Sequence, residues 1–280
     1  MAYNQYRPTG FKTLPDVVKN LIIINVLMFI GGYITKAKFN YDITDKLGLY
    51  YIHSDLFKPY QFITHLFMHD LTNPAHVLLN MFALWMFGNM LENMWGARRF
   101  LIYYMVCGLG AALCHSIVTF IQIVRIEDAA NLYISAPDAD SFAAFVKNYF
   151  SGIEISNFNQ LIDGMMTHPG DNMYSKSSID IVHRLVELKK NIPTVGASGA
   201  VFGVLLAFGM TFPNTMIIPL FPPIPMKAKY FVLIYGGIEV YSGIANNPAD
   251  NVAHFAHLGG MLFGFILIKI WNKTNRDQFY

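Results

Sequence analysis

Six apolar runs divide this chain, at residues 17–34, 76–95, 100–124, 195–212, 230–244 and 252–271. Most match the ~20 residues that a helix needs to cross the hydrocarbon core of a bilayer, and 230–244 is shorter. In that medium the backbone can bond only to itself, so each run is read as a helix. Charge is scarce: 14% of residues are charged and 54% hydrophobic, against about 25% and 45–50% in a globular chain. The expected fold class is an all-α membrane protein with six transmembrane helices. A net charge of +2, with no basic tract interleaved with aromatics, gives no reason to expect a nucleic-acid partner.

The runs and the segments between them give the expected organisation. Residues 1–16 form a cytoplasmic N-terminal segment, and 17–124 hold spans one to three. The run 17–34 is read as a retained span, being long and lacking a small-x-small cleavage site after it. Between spans one and two, residues 35–74 carry His53, His65 and His69 around an amphipathic, aromatic-rich stretch, expected to lie at the membrane interface. Residues 125–192 are too polar to span and are read as an extramembrane insertion with short amphipathic helices. Spans four to six occupy 193–272, with a proline-rich turn at 213–229, a polar loop at 246–251, and a cytoplasmic tail at 273–280. Cys107 and Cys114 lie seven apart on one helix face and are read as packing residues.

The cations test this topology. Arg7, Lys12, Arg98, Arg99, Lys227, Lys229, Lys269, Lys273 and Arg276 all fall on one side if both termini are cytoplasmic. Spans two, four and six then start on the opposite side, which gathers His76, Asn80, Ser198, His254 and His257 in the outer half of the bilayer. His257 would lie about 8 Å below the surface, at roughly 1.5 Å per residue. Polar groups at such depth are costly and point to function.

The chemistry these groups support is acyl transfer. Ser198 opens span four inside Gly196-Ala197-Ser198-Gly199, where Gly199 and Gly203 stand at the small-xxx-small spacing of close helix packing. As a nucleophile it needs a base, and His257 is the candidate, since imidazole exchanges its proton near neutral pH. His76 and Asn80 share a helix face and can donate to an oxyanion beside the Ser198 N–H. Phe202, one turn after Ser198, is placed to stack on His257, and Gly260 and Gly264 let span six press on span four. No acidic residue is expected beside the span-six histidines apart from Asp250 in the preceding loop, so the reading is a Ser-His dyad rather than a triad.

These residues resemble the rhomboid family of intramembrane serine proteases. The likeness rests on Gly196-Ala197-Ser198-Gly199, on Ala256-His257-Leu258-Gly259-Gly260, and on His76-Val77-Leu78-Leu79-Asn80 followed by Gly88, Glu92, Gly96 and Arg98. The turn from Phe212-Pro213 to Pro225-Met226-Lys227-Ala228-Lys229 is also similar. The resemblance implies a six-helix rhomboid-like bundle with an interfacial first loop and a water-filled cavity. Ser198 would be nucleophile and His257 base, with His76, Asn80 and the Ser198 N–H as oxyanion donors. It further implies no cofactor, gating by span five and the loop 246–251, and single-pass transmembrane protein substrates met within the lipid bilayer. Tyr60-Gln61 stands where the family typically has Trp-Arg, and Phe202 where tyrosine is common.

Rival readings are a zinc protease, a non-proteolytic binder of transmembrane clients, and a transporter. His65 and His69 have i, i+4 spacing, but the His-Glu-x-x-His signature is missing and no glutamate is expected near any histidine pair. Ser198 and His257 are both present, which disfavours the binder, and no internal repeat supports the transporter. Residence in a bacterial inner membrane is expected from the short termini. Oligomeric state leaves no mark on the sequence.

Overall fold

Helices make up most of the structure, a computed structural model that describes residues 12–150, 152–219, 223–245 and 252–277, with side chains to 273. The loop 246–251 with Asp250, Pro222 of the turn, and Arg7 lie outside the described residues, as does the Arg276 side chain.

Helix α1 (Asp16–Phe39) ends where Asn40 takes the left-handed conformation, φ 51°. Its N-cap, Pro15, supplies no side-chain cap. The Glu92 carboxylate does so from elsewhere, accepting from Val17 N–H at 2.9 Å and Val18 N–H at 2.8 Å. A helix N-terminus favours an anion there. The short helices α2 (Thr44–Leu47) and α3 (Gln61–Thr64) lead to α4 (Pro74–Ala83), which begins with proline where no N–H is needed. A π-turn at Leu84–Gly88 joins α4 to α5 (Asn89–Trp95). Asn89 and Asn93 on α5 donate to the carbonyls of Thr13 and Lys12, so this helix end fastens the approach to α1.

Helix α6 (Ala97–Ser135) is the longest and continues well past residue 124. Its far end packs with α7 (Ala139–Tyr149), α8 (Asn159–Thr167) and α9 (Asn172–Lys190) around Ile126, Tyr133, Phe142, Phe145, Val182 and Leu185. Asp138 and Asp171 cap α7 and α9, and Lys190 pairs with Glu127 at 2.7 Å. Next come α10 (Ser198–Thr211), the hairpin of β1 (Met216–Ile217) and β2 (Met226–Lys227), α11 (Ala228–Ala245) and α12 (His254–Asp277). Helical structure therefore runs into the segment after residue 272.

Among the described residues, Asp16–Phe39, Ala97–Ser135 and His254–Lys273 are long and apolar enough to cross a membrane, and Ser198–Thr211 is a shorter apolar helix. Large apolar side chains face outward on several helices, including Leu27 and Tyr33 on α1, Ile117 on α6, Leu233, Tyr241 and Ile244 on α11, and Leu262 on α12. So broad an apolar exterior calls for lipid rather than water.

Helix α10 occupies the centre, apolar on every face as an internal helix must be. It lies against α6 and α12 at backbone distance. A Cβ placed on Gly260 would collide with the Gly199 carbonyl oxygen, and one on Gly199 would collide with Ala111. Gly203 is pressed by Cys107, Gly264 by Tyr103, and the Tyr103 hydroxyl donates to the Gly203 carbonyl at 2.8 Å. In lipid, helices associate through such close packing, since no hydrophobic drive separates them from the tails.

Gly260→Ala forces α12 away from a backbone carbonyl that cannot rotate aside. Its expected cost is about 1–3 kcal/mol, the usual range for overpacking. Thermal unfolding in detergent checks this, and an unchanged midpoint would mean the two backbones are not held at this distance.

Candidate active site

Ser198 is presented by a short extended segment held from outside its own helix. Thr194 pairs with Leu49 in an isolated antiparallel bridge, N–H to carbonyl at 2.9 and 2.8 Å. The Gly196 N–H then donates to the His65 carbonyl at 3.0 Å. Gly196 has φ 128°, which side-chain-bearing residues rarely adopt, and its open side faces the His76 ring. The chain thereby turns into α10 with Ser198 as first residue, leaving its N–H in the turn that lacks intrahelical acceptors.

The segment 43–69 that grips this approach is organised by Gln61, which is almost fully buried. Its Oε1 accepts from Tyr50 N–H and Lys58 N–H, and its Nε2 donates to the carbonyls of Lys46 and Leu56. Position 61 thus makes structural contacts of its own. His65 Nδ1 lies 2.8 Å from the Gln61 carbonyl. Burial pushes both His65 and His69 down to about 4, with His76 adding to the effect at His69, so both are neutral at neutral pH.

His257 sits in the first turn of α12, and its Nε2 lies 2.9 Å from Ser198 Oγ. The Phe202 ring is parallel to the imidazole, with centroids 4.1 Å apart and planes 8° apart. Gly199 and Gly260 set the helix separation that this geometry requires.

One reading of the sequence is corrected here: an acidic residue does stand beside the α12 histidines. Glu239 of α11 places Oε2 at 2.9 Å from His257 Nδ1 and 2.7 Å from His254 Nδ1. It is 18 residues from His257 and on another helix, so proximity along the chain could not find it. The available signal was its isolation, because Glu239 is the one acid in the apolar run 230–244. The same contact corrects the view that no glutamate neighbours a histidine pair. Glu239, His254 and His257 offer three ligand atoms within 4.8 Å of one another.

His76 and Asn80 line the same cavity of about 810 Å³ as Ser198, Phe202, His254 and His257. Asn80 Nδ2 donates one hydrogen bond to the His76 carbonyl at 3.0 Å, which fixes the amide and leaves its second N–H. The His76 ring packs edge-on to His69 at 5.5 Å between centroids. A serine hydroxyl on an imidazole, with donors on the facing wall, is an arrangement able to perform nucleophilic substitution at a carbonyl.

Comparison with known families gives a match to the Rhomboid domain over residues 57–122 and 172–273. The matched blocks include His76, Asn80, Ser198, Phe202, Glu239 and His257. No curated protein matches the chain.

Gln61→Ala strands two N–H groups and two carbonyls of the gripping segment. A cost of about 1–3 kcal/mol per buried group left unsatisfied is expected, less where water enters. The thermal midpoint in detergent should fall, and an unchanged midpoint would remove Gln61 from this role.

Proposed function

This chain belongs to the rhomboid family, and on that premise we propose that it is an intramembrane serine endopeptidase that cleaves transmembrane helices of other proteins. The observation that carries the proposal is the 2.9 Å contact between Ser198 Oγ and His257 Nε2. That contact opens on a cavity large enough for an unwound peptide segment.

In the proposed reaction His257 Nε2 takes the hydroxyl proton as Ser198 Oγ attacks the scissile carbonyl. The Ser198 N–H, the free Asn80 N–H and His76 stabilise the oxyanion. His257 then returns the proton to the leaving amine, and water, activated by the same imidazole, hydrolyses the acyl-enzyme. Phe202 holds the imidazole plane by stacking on it. Glycine at 199, 260 and 264 keeps nucleophile and base within reach.

The reaction is proposed for an integral membrane bundle of six spans with both termini cytoplasmic, expected in a bacterial inner membrane, and with residues 35–74 at the interface. Helix α10 has 14 residues, hence a length of about 21 Å against a hydrocarbon layer of roughly 30 Å. With its C-terminal end at one face, Ser198 is recessed below the other. Helix α6 has 39 residues and a length of about 58 Å, so the part carrying α7–α9 is proposed to project beyond the layer. Substrates are expected to be single-pass helices with small or helix-breaking residues near the outer surface. An intact helix hydrogen-bonds its scissile amide and keeps it from Ser198.

The test is covalent labelling of detergent-solubilised protein by a fluorophosphonate. Wild type should label, whereas Ser198→Ala and His257→Ala should not, all three remaining folded. Absence of labelling in folded wild type would favour a non-proteolytic binder of transmembrane clients. Asn80→Ala should slow the reaction about 10²-fold, as expected for one oxyanion donor. An unchanged rate would take Asn80 out of the oxyanion site.

A further inference from the structure

A carboxylate inside an apolar helix is costly unless its acceptor capacity is used. Glu239 is 7% exposed and lies within α11, whose outward face carries Leu233, Ile234, Ile238, Tyr241 and Ile244. Its Oε2 lies within hydrogen-bond reach of two imidazole nitrogens, His257 Nδ1 and His254 Nδ1. The other nitrogen of His257 is the one on Ser198 Oγ. Ser198, His257 and Glu239 are therefore in line, each within 2.9 Å of the next.

We propose that Glu239 is a positioning residue of the catalytic apparatus and makes it a Ser-His-Glu triad. The carboxylate accepts a hydrogen bond from His257 Nδ1–H and so selects the tautomer in which Nε2 carries a lone pair toward Ser198. It fixes the imidazole plane from the edge while Phe202 fixes it from the face. When Nε2 takes the serine proton, the carboxylate faces the new imidazolium without accepting a proton itself, as in soluble triads. His254 anchors the same oxygen from the second side and keeps the carboxylate from swinging away. The three members come from α10, α12 and α11, so the set is complete only while α11 stays against α12.

The same atoms invite reading as a metal site, and the distances oppose it. Ligands on one zinc ion lie about 2.0–2.2 Å from the metal. In tetrahedral geometry that puts them roughly 3.3 Å from one another. Here each ring nitrogen is within 2.9 Å of the carboxylate oxygen, which is hydrogen-bond length.

This inference rests on the proteolytic reading of Ser198 and His257, and the experiment separates the two. Rates of fluorophosphonate labelling are measured against probe concentration for full-length wild type, Glu239→Gln and Glu239→Asp, with thermal midpoints alongside. Glu239→Gln should lower the saturating rate by about 10²–10⁴-fold, the upper figure being that of the corresponding change in a soluble triad. The half-saturating concentration should stay unchanged, and Glu239→Asp should recover part of the rate. A merely structural glutamate would instead move the midpoint, or both constants together. Labelling of folded Glu239→Gln at the wild-type rate overturns the triad and leaves the Ser198–His257 pair standing. Should Glu239→Gln fail to fold, Glu239→Asp decides: a reduced saturating rate at wild-type half-saturation supports the triad, and any other result overturns it. Wild-type labelling that requires zinc and is lost to a chelator would make the trio a metal site and overturn the proposal. No labelling of folded wild type removes the proteolytic reading and this one with it.

Discussion

The close approach of two backbones, Gly199 on α10 and Gly260 on α12, is the constraint on which the rest of this structure depends. It requires hydrogen in place of a side chain on both helices, and it repeats one turn on, where Gly203 meets the Gly260 carbonyl and Cys107. Serine and histidine have short side chains, so hydroxyl and imidazole meet only if their helices are this near. The glycines thus act on chemistry through distance alone. The same narrow gap seats the Phe202 ring flat on His257, because a wider one would leave space for the ring to tilt.

In a bundle so apolar, a buried polar group is costly unless its hydrogen bonds are met within the protein. Gln61 meets four backbone groups, and Glu92 meets two N–H groups at the open end of α1. These residues brace parts the lipid cannot hold: a helix start and a chain crossing. Gln61 braces the segment whose Leu49 and His65 grip Thr194 and Gly196, so it reaches Ser198 through backbone alone.

Much of this was legible because apolar length and small-residue spacing are local properties. The runs around α1, α6, α10 and α12 announce themselves, and Ser198, Phe202, His257 and the glycines fall at helical intervals that place them on facing surfaces. Gln61 and Glu239 were not legible in the same way. Gln61 lies in the aromatic-rich stretch read as interfacial and Glu239 in a run read only as a short span, and the partners of each are remote in the chain or on another element. Helix periodicity carries information about faces but none about which remote atom a face will meet. The extension of α6 to Ser135 was hidden for a related reason. Beyond residue 124 its exposed side is mostly polar, Leu132 excepted, and the apolar side that stays in register, Ile126, Ala130 and Tyr133, is buried with residues of α7 and α9 rather than in the central bundle.

Helix α11 is held to α12 by unlike means at different heights. Gly236 lies close to Met261 and Gly243 close to Phe255, small contacts of van der Waals kind. Between Gly236 and Gly243 stands Glu239 with its two histidines. Dispersion contacts with α12 are readily exchanged for contacts with lipid tails, which are just as apolar. The carboxylate's hydrogen bonds are not, since a lipid tail offers no donor. Separation of the two helices would therefore cost most at this one point. That point is also where the imidazole that faces Ser198 is held by its far edge, so the position of α11 and the orientation of His257 are tied by a single oxygen atom.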